Sequence, residues 1–341
     1  MINLYNYTKN QLTAEMQKLN VPSFRAIQIF NWLYKSKIAR IDDMNNIPAA
    51  LRLQLKKEYE ILLPETVEIQ KSIDETIKYL LVLTDNYSIE TVLIPDVKHD
   101  TICLSSQVGC PLACTYCVTG HLGFVRNLTT SEIIGQLILT IKTLPLNRKI
   151  NMVFMGMGEP LLNLKNVMDS ISIMTDKDGL GLSMRNITLS TIGYPPGIKE
   201  LSTYSLLPKI ALSLNSANDT VRAQLMPFAK KFPLTDIINS LQTLPIKKGR
   251  RITLEYIMIK GINDSIQDAH TLIKLMKKIP SKVNLIPFNE TPQIPFEAST
   301  NTQIETFASC LRKHNLTVTV RTSRGKDISA ACGMLKFQRK M

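Results

Sequence analysis

The sequence predicts an α/β protein, a partial (βα)₆ barrel preceded by a small helical N-terminal module and a β-hairpin connection. Its 341 residues suffice for two domains, or for one large barrel with an added module. Repeated βα units indicate parallel strands with helices outside, and six units are too few to close an eight-stranded barrel. The six strand-like runs are ICLSSQ, INMVFMG, NITLST, KIALSL, RITLEYIMI and KVNLIPFN.

The three parts follow one another along the chain. Residues 1–65 are predicted to be helical because apolar side chains recur at helical spacing: Leu12, Met16 and Leu19 on one face, and Ile27, Phe30, Leu33 and Tyr34 on another. Residues 66–98 contain the β-type segments IKYLLVLTD and SIETVLIPD, joined by the turn-forming Asp85 and Asn86, which predicts a hairpin. Residues 99–341 form the barrel and its C-terminal tail.

Helix signals separate the predicted barrel strands. Thr129 and Glu132 form a capping box that opens the helix EIIGQLILTIKTL, and SIQDAHTLIKLMKKI is amphipathic. A last helix, NTQIETFASCLRKH, and a strand, VTVRTS, lead into the tail RGKDISAACGMLKFQRKM. In a βα barrel the ligand site lies at the carboxyl ends of the strands.

Composition narrows the class of protein. With 44% hydrophobic and 20% charged residues, no long apolar run and no signal region, we expect a soluble cytoplasmic protein without a membrane partner. The 41 basic and 28 acidic residues give a net charge of +13, which favours a nucleic-acid partner. The basic residues that contribute to this expectation are Lys230, Lys231, Lys247, Lys248, Arg250, Arg251, Arg321, Arg324, Lys326, Lys336, Arg339 and Lys340.

Three cysteines form a CxxxCxxC motif in the loop after the first barrel strand: Cys110, Cys114 and Cys117. Three thiolates can each bind one iron of a [4Fe-4S] cluster, which leaves the fourth iron open to a substrate. The alternative is zinc, because His121 follows Cys117 by four residues and would complete a Cys₃His site.

At this motif the sequence resembles the radical S-adenosylmethionine (SAM) enzymes, in which an aromatic residue precedes the last cysteine, as Tyr116 does here. Within them it is similar to the dual-specificity adenine carbon-2 RNA methyltransferases and the related carbon-8 enzymes. SSQVGC, GFVRNLT, FMGMGEPLLN, TLSTIG, ALSL, NLIPFN and RGKDISAACG carry the resemblance, which covers most of the chain after residue 90.

The resemblance implies a set of SAM contacts at the strand ends. In GMGEP, glycines allow close approach of a ligand to the backbone, and Glu159 can accept from the ammonium group of an amino acid. The matching positions are Gly158, Glu159, Ser190, Ser213, Leu214, Asn215 and Asn289. Asn215 stands where the family commonly has His.

The resemblance also assigns the remaining cysteines and one carboxylate. Cys332 matches the cysteine that carries the methyl group, and Cys103 matches the partner that helps to release the product, through a Cys103–Cys332 disulfide. Glu90 matches a proton acceptor, with an exposed hairpin glutamate as the alternative. Cys310 matches nothing and is expected to be structural.

The implied mechanism follows from the electron-poor carbons 2 and 8 of adenine, which cannot attack a SAM methyl group as an amine would. Cys332 takes a methyl group from one SAM, a second SAM yields a radical that activates this methyl group, and the product is released from a covalent adduct. Cys103 or Glu90 removes the ring proton.

The implied substrates are 23S rRNA at the peptidyl-transferase centre and tRNA next to the anticodon, with an electron donor such as flavodoxin. Pro160 and RTSRG favour the carbon-2 branch. Two alternatives stay open, namely carbon-8 methylation of the same rRNA adenine and a zinc-stabilised, non-catalytic RNA-binding protein. We expect a monomer.

Overall fold

The computed structural model describes residues 1–145, 148–247 and 249–337. Its strands are β1 (Ile2–Asn3), β2 (Tyr59–Glu60), β3 (Glu65–Lys71), β4 (Ile77–Val82), β5 (Ser88–Ile94), β6 (Asp100–Cys103), β7 (Gln107–Gly109), β8 (Phe124–Asn127), β9 (Ile150–Phe154), β10 (Ile187–Thr191), β11 (Lys209–Ser213), β12 (Ile252–Met258), β13 (Ser281–Pro287) and β14 (Val318–Val320). Its helices are α1 (Lys9–Lys18), α2 (Ser23–Tyr34), α3 (Ala49–Glu58), α4 (Val118–His121), α5 (Thr130–Ile141), α6 (Leu164–Thr175), α7 (Pro195–Leu201), α8 (Asp219–Leu225), α9 (Leu234–Gln242), α10 (Ile266–Met276) and α11 (Asn301–Lys313).

One ten-stranded sheet organises the molecule, in the order β14-β13-β12-β11-β10-β9-β6-β5-β4-β3. The six predicted barrel strands are present as β6 and β9 to β13, and each pairs in parallel with the next. The short β14 adds a seventh parallel strand beside β13. Because β3 and β14 are the two ends of the sheet, the barrel is open in the described residues.

The connection before the barrel is larger than a hairpin. The predicted strands β4 and β5 are present and turn at Asn86, whose φ of 66° places it in the left-handed region. An additional strand, β3, pairs with β4, and β5 pairs with β6, so the connection is part of the barrel sheet. The expectation of two strands missed β3 because this exposed edge strand, ETVEIQK, has no buried apolar face.

The N-terminal module consists of α1 to α3 with the short parallel pair β1 and β2. Leu12 and Met16 are buried as expected, and so are Phe30, Leu33 and Tyr34 on α2. Leu19 is half-buried and Ile27 is 39% exposed. Asn6 Oδ1 accepts from the backbone N–H of Ser131 at the start of α5, over 2.9 Å. This contact joins the module to the barrel.

The helices cover the sheet in the predicted places. Thr129 and Glu132 form the expected capping box at the start of α5, with Glu132 Oε2 accepting from the Thr129 N–H over 2.8 Å. Buried residues of α5, α6, α9 and α10 pack in the same core as the strands. No helix in residues 1–145, 148–247 or 249–337 is long and apolar enough to cross a membrane.

Candidate active site

The carboxyl ends of the parallel strands enclose a cavity of about 140 Å³. Most of the predicted ligand-binding residues lie in its wall, although they come from distant parts of the sequence. Its lining includes Cys114, Cys117, Gly158, Glu159, Ser190, Ser213, Asn215 and Cys332. Leu214 is fully buried behind this wall and does not line the cavity.

The three motif cysteines lie in the loop between β7 and α4. The Cys110 N–H donates to the carbonyl of Gly123 over 2.7 Å, and the Cys117 N–H donates to that of Cys114 over 3.1 Å. Gly109 shapes the entry to this loop, because a Cβ there would lie 2.1 Å from the Gly123 oxygen. The loop therefore has a fixed path.

Burial dominates the chemistry of these thiols. It raises the pKa of Cys110 to about 12 and also raises the pKa of Cys114 and of Cys117. The Cys114 thiol interacts electrostatically with both of the other two. Buried thiols of this kind become thiolates when bound metal supplies positive charge, so the three donors fit an iron–sulfur cluster.

The zinc alternative is not supported by the geometry. In the described part of the chain, no three His, Cys, Asp or Glu side chains are grouped to hold a single ion. His121 Nε2 lies 3.0 Å from the carbonyl oxygen of Thr115. A four-iron cluster has a different requirement, because each of its cysteines binds a different iron.

Glu159 provides a buried carboxylate at the start of the turn after β9. Its oxygens accept from the N–H groups of Leu161 over 3.1 Å and Ile192 over 3.0 Å. Burial still raises its pKa to about 7, and no cation among the described residues pairs with it. A buried carboxylate without a counter-ion fits the ammonium group of a bound amino acid.

Gly158 allows the backbone to approach this position. Its φ is +95°, and a Cβ there would lie 2.5 Å from the Cβ of Gln107. Gln107 Oε1 in turn accepts from the N–H of Glu159 over 2.9 Å. The GMGEP turn therefore has a steric need for glycine at this position.

Ser190 and Ser213 lie on neighbouring strand ends with their hydroxyl oxygens 3.4 Å apart. Asn215 differs from them because its polar atoms are engaged within the protein. Its Nδ2 donates to the Tyr116 hydroxyl over 2.7 Å, and its Oδ1 accepts from the Ile257 N–H over 3.0 Å. Asn215 thus orients the aromatic residue of the cysteine motif.

A second, smaller cavity adjoins the first, and Cys332 lines both. Cys103 at the end of β6 lies in the wall of this second cavity. Asn289 Nδ2 donates to the carbonyl of Cys332 over 3.1 Å, while its Oδ1 is buried without a partner. The tail is also bound to the cysteine loop, because the Val118 N–H donates to the Gly333 carbonyl over 2.7 Å.

The structure contains all six cysteines as free thiols. Burial, and to a smaller extent the proximity of Cys332, raises the pKa of Cys103 to about 12. Cys310 lies on α11 and packs against the edge of the core.

Arg321 is a site residue that the sequence analysis assigned to the RNA-binding surface instead. It lines the small cavity with Cys103 and Cys332, and its electrostatic interaction with Cys332 is the largest cause of its raised pKa. Glu255 also interacts with it. The only signal in the sequence was its position directly after the last strand.

Glu90 is buried, so the alternative of an exposed hairpin glutamate is wrong. Its Oε1 lies 3.0 Å from Lys78 Nζ, and both side chains are about 5% exposed or less. Its Oε2 accepts from the N–H of Lys336 in the tail over 2.8 Å. Glu90 lines neither cavity and connects the antiparallel strands to the tail.

Most of the other predicted basic residues are on the surface. Lys230, Lys231, Lys247, Arg251, Lys326 and Lys336 are exposed, and Arg250 is half-buried. Arg324 binds Asp74 in the turn between β3 and β4. Lys248, Arg339 and Lys340 lie outside the described residues.

An open βα barrel with a three-cysteine loop beside a cavity at its strand ends is the arrangement of a radical SAM enzyme. Residues 104–273 match the Radical SAM superfamily, and residues 2–61 match the N-terminal domain of ribosomal RNA large subunit methyltransferases. A curated dual-specificity RNA methyltransferase RlmN from Geotalea uraniireducens is 43% identical, over 98% of this chain and 96% of its own. The protein of the same name from Nitratiruptor is 40% identical over 98% of both chains. The chain therefore belongs to the RlmN family of radical SAM RNA methyltransferases.

A solved structure agrees with this assignment. The crystal structure of a radical SAM methyltransferase from Sphaerobacter thermophilus superimposes with a TM-score of 0.91 and 36% identity. The match covers 98% of this chain and 99% of that one. It therefore includes the N-terminal module and the tail as well as the barrel.

Proposed function

We propose that this protein methylates carbon 2 of an adenine in 23S rRNA, at the peptidyl-transferase centre, and of the adenine 3′ to the tRNA anticodon. The observation that carries the proposal is the position of Cys332 in the wall shared by two cavities. One cavity is lined by Cys114, Cys117 and Glu159, and the other is lined by Cys103. A methyl group on Cys332 would face both.

Cys110, Cys114 and Cys117 would hold the [4Fe-4S] cluster. Glu159 would bind the ammonium group of SAM, Gly158 would let the ligand approach the backbone, and Ser190 and Ser213 offer hydroxyl groups in the same wall. Leu214 and Asn289 do not line this cavity. Leu214 would contribute through its backbone, and Asn289 would act through its hydrogen bond to Cys332. When bound, the cluster and SAM supply one-electron chemistry that can remove a hydrogen atom from a methyl group.

Cys332 would accept its methyl group by displacement, in which its sulfur forms the new S–C bond and the SAM sulfur keeps the electron pair of the broken bond. This step needs a thiolate. The Arg321 guanidinium lines the same cavity as Cys332 and interacts electrostatically with its sulfur.

Cys103 would act after the carbon of the methyl group has bonded to the adenine ring. Attack of its sulfur on the Cys332 sulfur forms a disulfide and breaks the carbon–sulfur bond, whose electron pair goes to carbon and takes up a proton. External thiols then reduce the disulfide. For removal of the ring proton we favour Cys103 over Glu90, because Cys103 lines the cavity whereas the Glu90 carboxylate is bound by Lys78 and the tail.

We also propose that the module of residues 1–65 binds RNA. Residues 66–98 would form the connector, and residues 99–341 would form the catalytic unit. The net charge of +13 supports a polyanionic substrate. The proposal also includes a cytoplasmic location, a monomeric state and an external electron donor such as flavodoxin.

Mass spectrometry of nucleosides tests the regiochemistry and both substrates together. Ribosomal RNA and tRNA are compared from cells with the gene, without it, and complemented with Cys332→Ala. We expect 2-methyladenosine in both RNAs only with the wild-type protein. Finding 8-methyladenosine instead would assign the protein to the carbon-8 branch, and unchanged RNA in the deletion strain would contradict the proposal.

A further inference from the structure

Arg222 on α8 is a buried charged side chain that the predicted chemistry does not use. It is fully buried, at 0% exposure, and its hydrogen bonds within the described residues go to backbone carbonyls and not to a carboxylate. Burial of a cation without an anionic partner is strongly unfavourable. A guanidinium stays charged in proteins, so this position calls for an explanation.

The hydrogen bonds of Arg222 satisfy only part of its guanidinium group. Nε donates to the carbonyl of Leu214 over 3.2 Å, and Nη2 donates to that of Ile192 over 2.6 Å. These carbonyls follow β11 and β10, so the side chain braces two strand ends of the site. Nη1 is buried without any partner.

The groups that interact electrostatically with Arg222 point to the cysteine loop. They are the Tyr116 hydroxyl, the Cys114 thiol and, less strongly, Asp219 on the same helix. Tyr116 forms a hydrogen bond with Cys114 and is held by Asn215 from the other side. Arg222 does not line the larger cavity. Its helix contacts the cysteine loop directly, because the Thr115 N–H donates to the carbonyl of Leu225 on α8 over 2.9 Å.

We propose that Arg222 is the counter-charge of the iron–sulfur cluster and sets its reduction potential. A four-iron cluster held by three thiolates is negatively charged, and reduction adds one more negative charge. A buried cation stabilises the reduced form more than the oxidised form, which raises the potential. The buried Nη1 has no partner within the protein and remains available as a donor, and outer-shell hydrogen bonds tune other metal sites in this way.

A redox titration of the cluster-loaded enzyme, monitored by electron paramagnetic resonance under anaerobic conditions, tests this proposal without reference to RNA. The variants are Arg222→Met, which removes the charge, and Arg222→Lys, which keeps it. Arg185→Met is the matched control, because it removes the same charge from an exposed position. Iron and sulfide contents show whether each variant holds a complete cluster.

We expect Arg222→Met to shift the midpoint potential to more negative values, while Arg222→Lys and Arg185→Met stay close to the wild type. An unchanged potential in Arg222→Met with a complete cluster would overturn the proposal. Equal shifts in the Met and Lys variants would also overturn it, because they would assign the effect to the lost hydrogen bonds. If Arg222→Met holds no iron, Arg222→Gln, which keeps a donor, must show the negative shift.

Discussion

Asn289 Nδ2 donates a hydrogen bond to the carbonyl oxygen of Cys332 over 3.1 Å, which joins the end of β13 to the tail. The Cys332 thiol therefore depends on a residue 43 positions earlier for its position. The Val118–Gly333 backbone hydrogen bond restrains the same turn from the opposite side. Together these contacts hold the thiol at the boundary between the two cavities.

We predict that Asn289→Ala slows methylation of Cys332 more than it affects the fold. One hydrogen bond is worth about 1 kcal/mol, which corresponds to roughly a fivefold lower rate. Peptide mass spectrometry after a single turnover measures methyl-Cys332 directly. The exposed Asn301→Ala serves as the control, and an unchanged rate in Asn289→Ala would show that the hydrogen bond does not position the thiol.

Replacement of the two site cysteines separates their roles in time. Cys332→Ala has no sulfur to carry the methyl group, so it should give neither product nor RNA adduct. Cys103→Ala should still form the adduct and then stop, so a covalent protein–RNA species accumulates. Denaturing gels and peptide mapping detect that species, and it should vanish in the double variant. An adduct on Cys310, or full turnover by Cys332→Ala, would refute the assignment.

The cluster ligands can be tested by colour and metal content. Anaerobically purified protein should be brown with about four irons and four sulfides per chain. Replacement of Cys110, Cys114 or Cys117 by alanine should abolish the brown colour and the bound iron and sulfide. His121→Ala should retain them, because the His121 side chain contacts the Thr115 carbonyl. Stoichiometric zinc without iron after anaerobic reconstitution contradicts the cluster, and loss of iron in His121→Ala contradicts the open iron site.

The Lys78–Glu90 pair predicts an asymmetric effect on stability. Lys78→Met leaves a buried carboxylate without its cation, which should lower the free energy of unfolding by about 3 kcal/mol. Lys78→Met combined with Glu90→Gln should recover much of that loss. Lys71→Met, in an exposed pair with Glu75, should change stability by less than about 1 kcal/mol. Urea unfolding measures all four proteins, and equal losses in Lys78→Met and Lys71→Met would rule out a special role for burial.

The sequence was informative wherever local pattern decides structure. The apolar runs of β6 and β9 to β13 predicted the parallel strands, and the capping box at Thr129 predicted the start of α5. The cysteine spacing located the loop of the site. These features depend on residues close together in the chain.

The missed features depend on long-range contacts. Arg222 binds carbonyls 8 and 30 residues away, and nothing in its neighbourhood indicates that it is buried. Lys78 and Glu90 become diagonal neighbours only through the β4–β5 register, in which Leu80 lies opposite Glu90. Arg321 was predicted to belong to the basic surface, because only the folded path of the tail brings Cys332 close to it.

The raised pKa of Glu159 predicts how stability depends on pH in the cluster-free protein. Its folded-state pKa of about 7 lies above the ordinary value of 4.5, so the folded state binds the proton more tightly than the unfolded state. The stabilising contribution is therefore complete below about pH 4.5 and is lost as the pH rises toward 7. Relative to Glu159→Gln, which does not ionise, the wild type should lose about 2.5 kcal/mol of stability between pH 5 and pH 8.

Urea unfolding of the full chain at several pH values measures this difference between the wild type and Glu159→Gln. The diagnostic quantity is the slope of the free energy of unfolding against pH. The glutamine also alters the hydrogen bonds to Leu161 and Ile192, but the effect of that change on stability does not vary with pH. Glu297→Gln is the control, since Glu297 is exposed and paired with Lys260. Parallel pH profiles for the wild type and Glu159→Gln would show that groups within the protein already stabilise the Glu159 carboxylate. That result would contradict its proposed role in binding the ammonium group of SAM.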